Sequence, residues 1–367
     1  NYNFTTGFQS YENLQLVNND RYQYILPYYD FNTNLFSNFL DGYINFNSTG
    51  KNDLNNTNQL KSRIINNLSY SSLDFFSNSG FKNNYSLNIK NLNSLGKNIS
   101  EYKSSPQVEF STLAEFKSSI PLIKKSGKFV NLLTPKISFR VNPSDMKNYK
   151  TSERIINTDN IFSIDRLGLG DTFEAGRSIT LGVDYKKQML KDVNKYFEVK
   201  LASVLRDKEE NFIPAQTTID KKTSNIFGSL STNFSENLNL NYRFAIDNNL
   251  NEIEYNDIST TLLMNNFSTS FNFIKEKNEM GDQNFIKNST IYKFDDKNQI
   301  SFNTRRNRKI NLTEFYDLVY EYKNDCLVAG LKYKKTYYED RDLKPVEDLL
   351  FTITLFPLTT FEQKVDK

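Results

Sequence analysis

The feature that most constrains this chain is a repeat of two. From Asn237 to Asp247, Leu238, Leu240, Tyr242, Phe244 and Ile246 alternate with Asn239, Asn241, Arg243, Ala245 and Asp247. Successive side chains of a strand point to opposite faces, so this run makes one apolar wall and one largely polar wall. A helix would mix the two sets around its circumference. The run before it alternates in the same way, with Ile226, Gly228, Leu230, Thr232 and Phe234 against Phe227, Ser229, Ser231 and Asn233. Ser235, Glu236 and Asn237 lie between them as a hairpin turn. Phe197, Val199, Leu201 and Leu205 oppose Glu198, Lys200 and Arg206. Phe267, Thr269, Phe271 and Phe273 oppose Ser268, Ser270 and Asn272, and Tyr316, Leu318, Tyr320 and Tyr322 oppose Asp317, Val319 and Glu321. The residues from Leu349 to Leu355 read as a final strand, stopped by Pro357. Pro135 and Pro143 bracket a short strand from Lys136 to Val141.

The longer runs reach about nine to eleven residues, the length that crosses a bilayer core at a tilt of ~45°. A mean globular strand has only ~5–6 residues. Short turns alternate with longer polar links such as Lys275–Asn284, the pattern of outer-membrane barrels. At about 20 residues per strand and connection, the chain holds roughly 16–20 strands. A soluble sandwich would use shorter strands, and a β-solenoid would show a fixed repeat, which is missing. Residues 1–367 therefore read as one all-β domain, a large antiparallel transmembrane β-barrel.

Composition narrows the function. Hydrophobic residues make up only 38% of the 367, yet 30 Phe and 22 Tyr are too many for a disordered chain. Histidine is absent, which excludes a Ser-His-Asp hydrolase and removes the commonest metal ligand. One cysteine, Cys326, excludes an internal disulfide and any multi-cysteine metal site. The net charge of +3 is spread along the chain, so no basic patch points to nucleic acid. No run approaches the ~18 apolar residues of a membrane helix, so a membrane would be spanned by a closed barrel. The aromatics at strand ends read as interfacial girdles rather than stacking platforms. Asn67-Leu-Ser69 and Asn84-Tyr-Ser86 match a glycosylation triplet by chance in a chain so rich in Asn and Ser. The sequence starts at Asn1 without a leader, which reads as a mature chain or an internal segment.

One segment breaks the alternation. Residues Asn160 to Gly176 hold Asp165, Arg166, Asp171 and Glu174 among Gly168, Gly170 and Gly176, with Arg177 just after. Two carboxylates could serve as an acid and base pair, but no nucleophile, base or ligand set accompanies them. Gly168-Leu-Gly170 lacks the third glycine of a dinucleotide site. The segment reads as a glycine-rich loop whose charges pair or face water, with no catalytic, cofactor or metal role. Cys326 sits at the start of a strand, as a small buried hydrophobe or as the half of a pair whose partner lies elsewhere.

The Asn160–Gly176 segment, continued by Arg177-Ser-Ile-Thr-Leu-Gly-Val-Asp-Tyr185, resembles the central barrel signature of the lipopolysaccharide-assembly family LptD. Ser105–Glu109 to Leu133–Ile137 is similar to the strands before that signature, and Asn324–Leu327 to Leu349–Phe356 to the family's C-terminal strands. The resemblance implies a very large barrel in the Gram-negative outer membrane, plugged by the lipoprotein LptE. Such a barrel would take lipopolysaccharide from a periplasmic bridge protein and insert it into the outer leaflet, among outer-membrane lipid, with no covalent chemistry. It also implies that Cys326 pairs with a cysteine of a periplasmic domain, although Asp325 stands where relatives can carry a second cysteine. That periplasmic domain and the early strands are not recognisable here, so the resemblance is to the C-terminal portion of an incomplete barrel. Glu198, Lys200, Arg206, Asn239, Asn241 and Arg243 would line the lumen. A general porin and a surface-displayed β adhesin are the alternatives.

Overall fold

The computed structural model describes the chain except for residues 1, 14–21, 39, 56–57, 236, 338–344, 356–358 and 365–367. The strands are long and arrive in chain order. The first are β1 (Tyr2–Glu12), β2 (Tyr22–Ser37), β3 (Gly42–Asn55), β4 (Gln59–Ser72), β5 (Phe75–Phe76), β6 (Lys82–Lys97), β7 (Gln107–Ser119), β8 (Leu122–Ser126) and β9 (Phe129–Asn142). A long loop leads to β10 (Gly176–Met189) and β11 (Tyr196–Arg206). Then follow β12 (Ile226–Ser235), β13 (Leu238–Ile246), β14 (Ile253–Met264), β15 (Phe267–Glu276) and β16 (Asn284–Lys293). The last are β17 (Asn298–Asn307), β18 (Leu312–Lys323), β19 (Leu327–Thr336), β20 (Glu347–Leu355) and β21 (Thr359–Lys364). Among the described residues the helical content is two short 3-10 turns, Ala215–Thr217 and Asn278–Met280.

The described strands number twenty-one and belong to one sheet. Antiparallel ladders join β1, β2, β3, β4, β6, β7 and β9 in turn, and β11 through β21 in turn; β9 also pairs with β10. β5 pairs with β6 just beyond β4, and β8 pairs with β9 in the register of β7, so both are continuations of the preceding strand. Nineteen crossings remain, within the sixteen to twenty expected. The fold is all-β and antiparallel. Among the described residues no ladder joins β1 to β21, so the sheet is not closed into a complete barrel.

Three details differ from the sequence reading. β2 and β6 reach 16 residues, beyond the nine to eleven expected. The strand from Leu349 to Leu355 is not the last, since β21 pairs with it; Pro357 lies outside the described residues, as do Glu236 and Phe356. Pro135 does not bound a strand but sits inside β9. Opposite it the chain passes from β7 to β8 through Ile120 and Pro121, with Ser119 facing Lys136 and Leu122 facing Leu133. The Pro135 carbonyl accepts from the Ile120 N–H at 3.1 Å, so only the donor that proline lacks is lost, at a break in the ladder.

The chain forms two compact units. The first holds residues 1–121, 134–182 and 203–224, and the second 122–133, 183–202 and 225–367. In the first unit burial runs opposite to that of a soluble sheet. Leu87 is 47% and Phe110 63% exposed, whereas Asn88, Lys90, Ser111, Glu115, Ser138 and Arg140 are buried. A soluble sandwich hides its apolar face, but a membrane barrel turns that face to lipid and its polar face inward. Across β6, β7 and β9, Tyr85, Phe116 and Phe139 stand directly opposite one another on the apolar face, with the last two rings 6.5 Å apart. They form the aromatic row expected of an interfacial girdle.

In the second unit the same alternation is carried by register. Asn241, Ser259, Asn272, Lys287 and Arg305 face one another in sequence across β13 to β17 on the polar side. Phe244 lies on the other side, its ring over Gly228, where a Cβ would meet it at 2.1 Å.

Links between strands also alternate. Short ones run from the two residues 127–128 to the six of 190–195. Between them come the long ones, 98–106, 143–175, 207–225, 277–283 and 337–346, together with 247–252 and 308–311, which are no longer than the short set. In outer-membrane barrels the short turns face the periplasm and the long loops the exterior.

Candidate functional site

The long loop 143–175 folds onto the polar face of the first unit, and the charges of the Asn160–Gly176 segment explain how. Glu174 is buried and accepts a bidentate pair from Arg166, Nε to Oε2 at 2.6 Å and Nη2 to Oε1 at 2.6 Å. Two parallel charge-assisted hydrogen bonds fix both orientation and energy. Arg206, on β11, also donates to Glu174 and to the carbonyl of Ala175. Arg140, on β9, stands 3.6 Å from Glu174 and 3.6 Å from Glu115 of β7, and donates to the carbonyl of Ile164. Arg166 further donates to Thr180 at 2.8 Å and to Ser178 at 3.1 Å on β10. One loop carboxylate therefore serves three guanidiniums, two of which come from the wall.

The ionisation of Glu174 follows from these contacts. Burial pushes its carboxyl up, but the charge and hydrogen bonds of Arg166, with Arg140 and Arg206, outweigh burial and hold it well below the usual carboxylate range. Replacing one partner of such a buried set leaves an uncompensated charge, at a cost of about 3–5 kcal/mol.

Gly176 makes the geometry possible. Its φ is +84°, and a Cβ there would stand 2.9 Å from Nη2 of Arg206. Gly168 has φ +62° but only a loose neighbour, Arg154 Nε at 3.7 Å, so its role is conformational. Asp165 is exposed and caps the turn, its Oδ1 accepting from the Leu169 N–H at 3.0 Å. Asp171 pairs with Lys147 at 3.2 Å and accepts from the Tyr149 hydroxyl. Burial, then that hydrogen bond and the Asp171 charge, raise the Tyr149 phenol, so it stays a donor.

Wall residues complete the attachment. Lys90 of β6 is buried, donates to the carbonyls of Leu169 at 2.8 Å and Thr172 at 3.3 Å, and lies 4.5 Å from the Phe173 ring. Asn142 donates to the carbonyls of Phe173 and Glu174, and Ser111 accepts from the Phe173 N–H at 3.0 Å. The sequence reading missed Lys90, Glu115, Arg140 and Asn142. Each sits on the polar side of an alternating strand, so their face was legible, but the loop they hold was not.

The other expected residues lie apart from this cluster. Glu198 and Lys200 pair at 3.4 Å on β11. Asn241 donates to Asn239 at 2.7 Å, and Arg243 Nε to Asp257 at 3.0 Å, all on the polar side of β13 and β14. Arg206 shares the face of Glu198 and Lys200 but lies beneath the loop. Cys326 is exposed in the short link before β19 and carries no disulfide. Among the described residues no group of three or more His, Cys, Asp or Glu side chains could hold a metal ion.

The wall, its loop and the outward apolar face are those of a membrane barrel, and comparison by sequence supplies the family. The model of LptD, LPS transport system D, matches residues 1–307. The chain belongs to the LptD family. It is an outer-membrane protein of a transport family, not of an enzyme family. No curated protein matches it by sequence. Among solved structures, the siderophore receptor PirA from Acinetobacter baumannii is similar at 7% identity, over 91% of this chain and 65% of that one, with a TM-score of 0.37. A mutant of the ferric enterobactin receptor PfeA from Pseudomonas aeruginosa is similar at 10% identity, over 92% and 62%, with a TM-score of 0.38. A mutant porin of Rh. blastica is similar at 8% identity, over 83% and 91%, with a TM-score of 0.31. These likenesses are slight, and the chain spans less than two thirds of either receptor.

Proposed function

We propose that this chain forms part of the barrel that transports lipopolysaccharide and inserts it into the outer leaflet of the outer membrane. The match to the LptD family over residues 1–307 carries the reading. The polar faces support it, because hydroxyl, amide and charged groups in cross-strand rows suit sugars and phosphates. Glu198, Lys200, Asn239, Asn241 and Arg243 would line the passage, with Arg206 holding the loop against its wall. Asp165, Arg166, Gly168, Asp171, Glu174 and Gly176 would fix that loop rather than contact the cargo. The partners implied are the plug lipoprotein LptE and the periplasmic bridge protein of the same pathway. Cys326 would pair with a cysteine outside this chain.

The test is depletion of the chain in its own cells, followed by surface labelling of newly made lipopolysaccharide. New lipopolysaccharide should stop reaching the surface while other outer-membrane proteins still do. Normal surface delivery after depletion would sink the reading.

A further inference from the structure

We propose that the β8–β9 hairpin and the link 190–195 form a basic patch that seats on anionic phospholipid headgroups of the leaflet facing the periplasm. Residues 122–133 and 183–196 both belong to the second compact unit. Their seven lysines and two aspartates give a formal charge of +5, more than the +3 of the whole chain. The two stretches are far apart in the sequence, so the charge looks spread along it. The fold brings them together. β9 pairs with β10, and the Leu190 N–H donates to the Lys128 carbonyl at 2.9 Å. Gly127, at φ +58°, lets β8 turn into β9 within two residues.

Little of this charge is neutralised within the chain. Lys195 pairs with Asp192 at 3.6 Å. Among the described residues no carboxylate pairs with Lys124, Lys125, Lys128, Lys187 or Lys191. Lys187 Nζ stands 4.5 Å from the Phe129 ring, and the other four are exposed. Flexible ammonium groups suit a phosphate met as a point charge, and clustered lysines beside a membrane are drawn to anionic lipid.

Parity places the patch at the membrane surface. Lys186 Nζ stands 4.7 Å from the Tyr196 ring, and Tyr196 shares its side of β11 with Glu198 and Lys200. Lys187 therefore points to the opposite, apolar side, that of Phe197 and Val199. Tyr185 is on that side too, and its hydroxyl donates to Asn131 at 2.9 Å; Asn131 in turn faces Lys124 across the hairpin. A lysine on the lipid-facing side is costly at mid-membrane and nearly free of cost at the interface, so Lys187 and Lys124 mark the headgroup level. The links 127–128 and 190–195 belong to the short set, which makes this the periplasmic interface. Leu122, Ile123, Leu190 and Val193 are exposed among the lysines. Apolar side chains between basic ones are what hold an element in the headgroup region. An acidic protein would answer the charge, but not a lysine set on the lipid-facing wall.

Electron spin resonance of spin-labelled lipids around the purified full chain in phosphatidylcholine vesicles tests this. Labelled phosphatidylglycerol should associate roughly fivefold more strongly than labelled phosphatidylcholine, the gain expected of one lysine at an anionic surface. K124Q/K125Q/K128Q/K191Q should lose that preference and K124R/K125R/K128R/K191R should keep it, since charge rather than shape is read. No preference in the parent, an unchanged one in the Gln set, or equal loss in the Arg set would overturn the patch. A photoreactive phenylalanine analogue at Val193 of the full chain in living cells gives an independent reading, and its adducts should be with phospholipid. Protein adducts would assign the patch to an acidic partner and lipopolysaccharide adducts to the outer leaflet. Either result, or the absence of phospholipid adducts, would overturn the proposal.

Discussion

At the scale of single residues, Glu174 decides the most. It is the shared counter-charge of Arg140, Arg166 and Arg206, so Glu174→Gln should cost about 3–5 kcal/mol. Heating to the unfolded electrophoretic form should then occur at lower temperature than in the parent. The pH dependence has a definite sign. Because the folded carboxyl lies below the unfolded value of ~4.3, its contribution is present above that value and is lost as pH falls through the folded one. Proteases added between pH 7 and pH 5 should therefore leave the loop 143–175 of the parent intact but cut that of the Gln variant. Cleavage of the parent loop already at pH 5 would show that Glu174 does not govern it. Gly176→Ala should cost about 1–2 kcal/mol for its left-handed backbone and more for the push on Arg206. Gly168→Ala should carry only the first cost, so its melting temperature should fall less. Of this cluster the sequence showed the loop charges, because they break the alternation. Their partners on the wall were not: Glu115 and Arg140 were missed, and Arg206 was read only as lumen-lining. Glu115 and Arg140 precede the segment on β7 and β9 and Arg206 follows it on β11, and no spacing along the chain links them to one carboxylate.

At the scale of elements, the alternation was legible because two faces meet two solvents. Leu238 to Ile246 forms β13 as expected, with its register to β12 and β14 constant along most of its length and shifted only at its ends, at Thr232/Ser235 and at Ala245/Ile246. Pro135 was misread because proline marks strand ends only where its missing donor matters, and here the opposing strand is itself interrupted by Pro121. Parity gives a direct test. Leu240→Arg places a charge on the apolar face and should cost up to about 2–4 kcal/mol, depending on depth. Asn241→Arg, one residue on, lies on the polar side and should fold like the parent. Urea-induced unfolding in lipid vesicles measures both, and equal costs would mean that both faces meet the same medium.

At the scale of the whole molecule, the link pattern predicts sidedness. Cys326 lies in the short link 324–326 and is exposed. A membrane-impermeant maleimide should fail to label it in intact cells and should label it once the outer membrane is opened under reducing conditions. Labelling from outside intact cells would reverse the assigned orientation. The family was legible from ordered segments spread along the chain, and the open ladder from the resemblance to the C-terminal portion of an incomplete barrel; the alternation alone could not show it, because closure depends on strand pairing far apart in sequence. The period of two also bears on how such a chain reaches its destination. An outer-membrane protein must first pass through the inner membrane, where a run of ~20 apolar residues would be captured as a helix. In β13 each apolar residue before the last is followed by Asn, Arg or Ala, so its greasy face exists only once the strand has formed. While extended in the export channel, the chain presents no segment that the first bilayer can retain. Gathering the same residues into blocks would strand it one membrane too early.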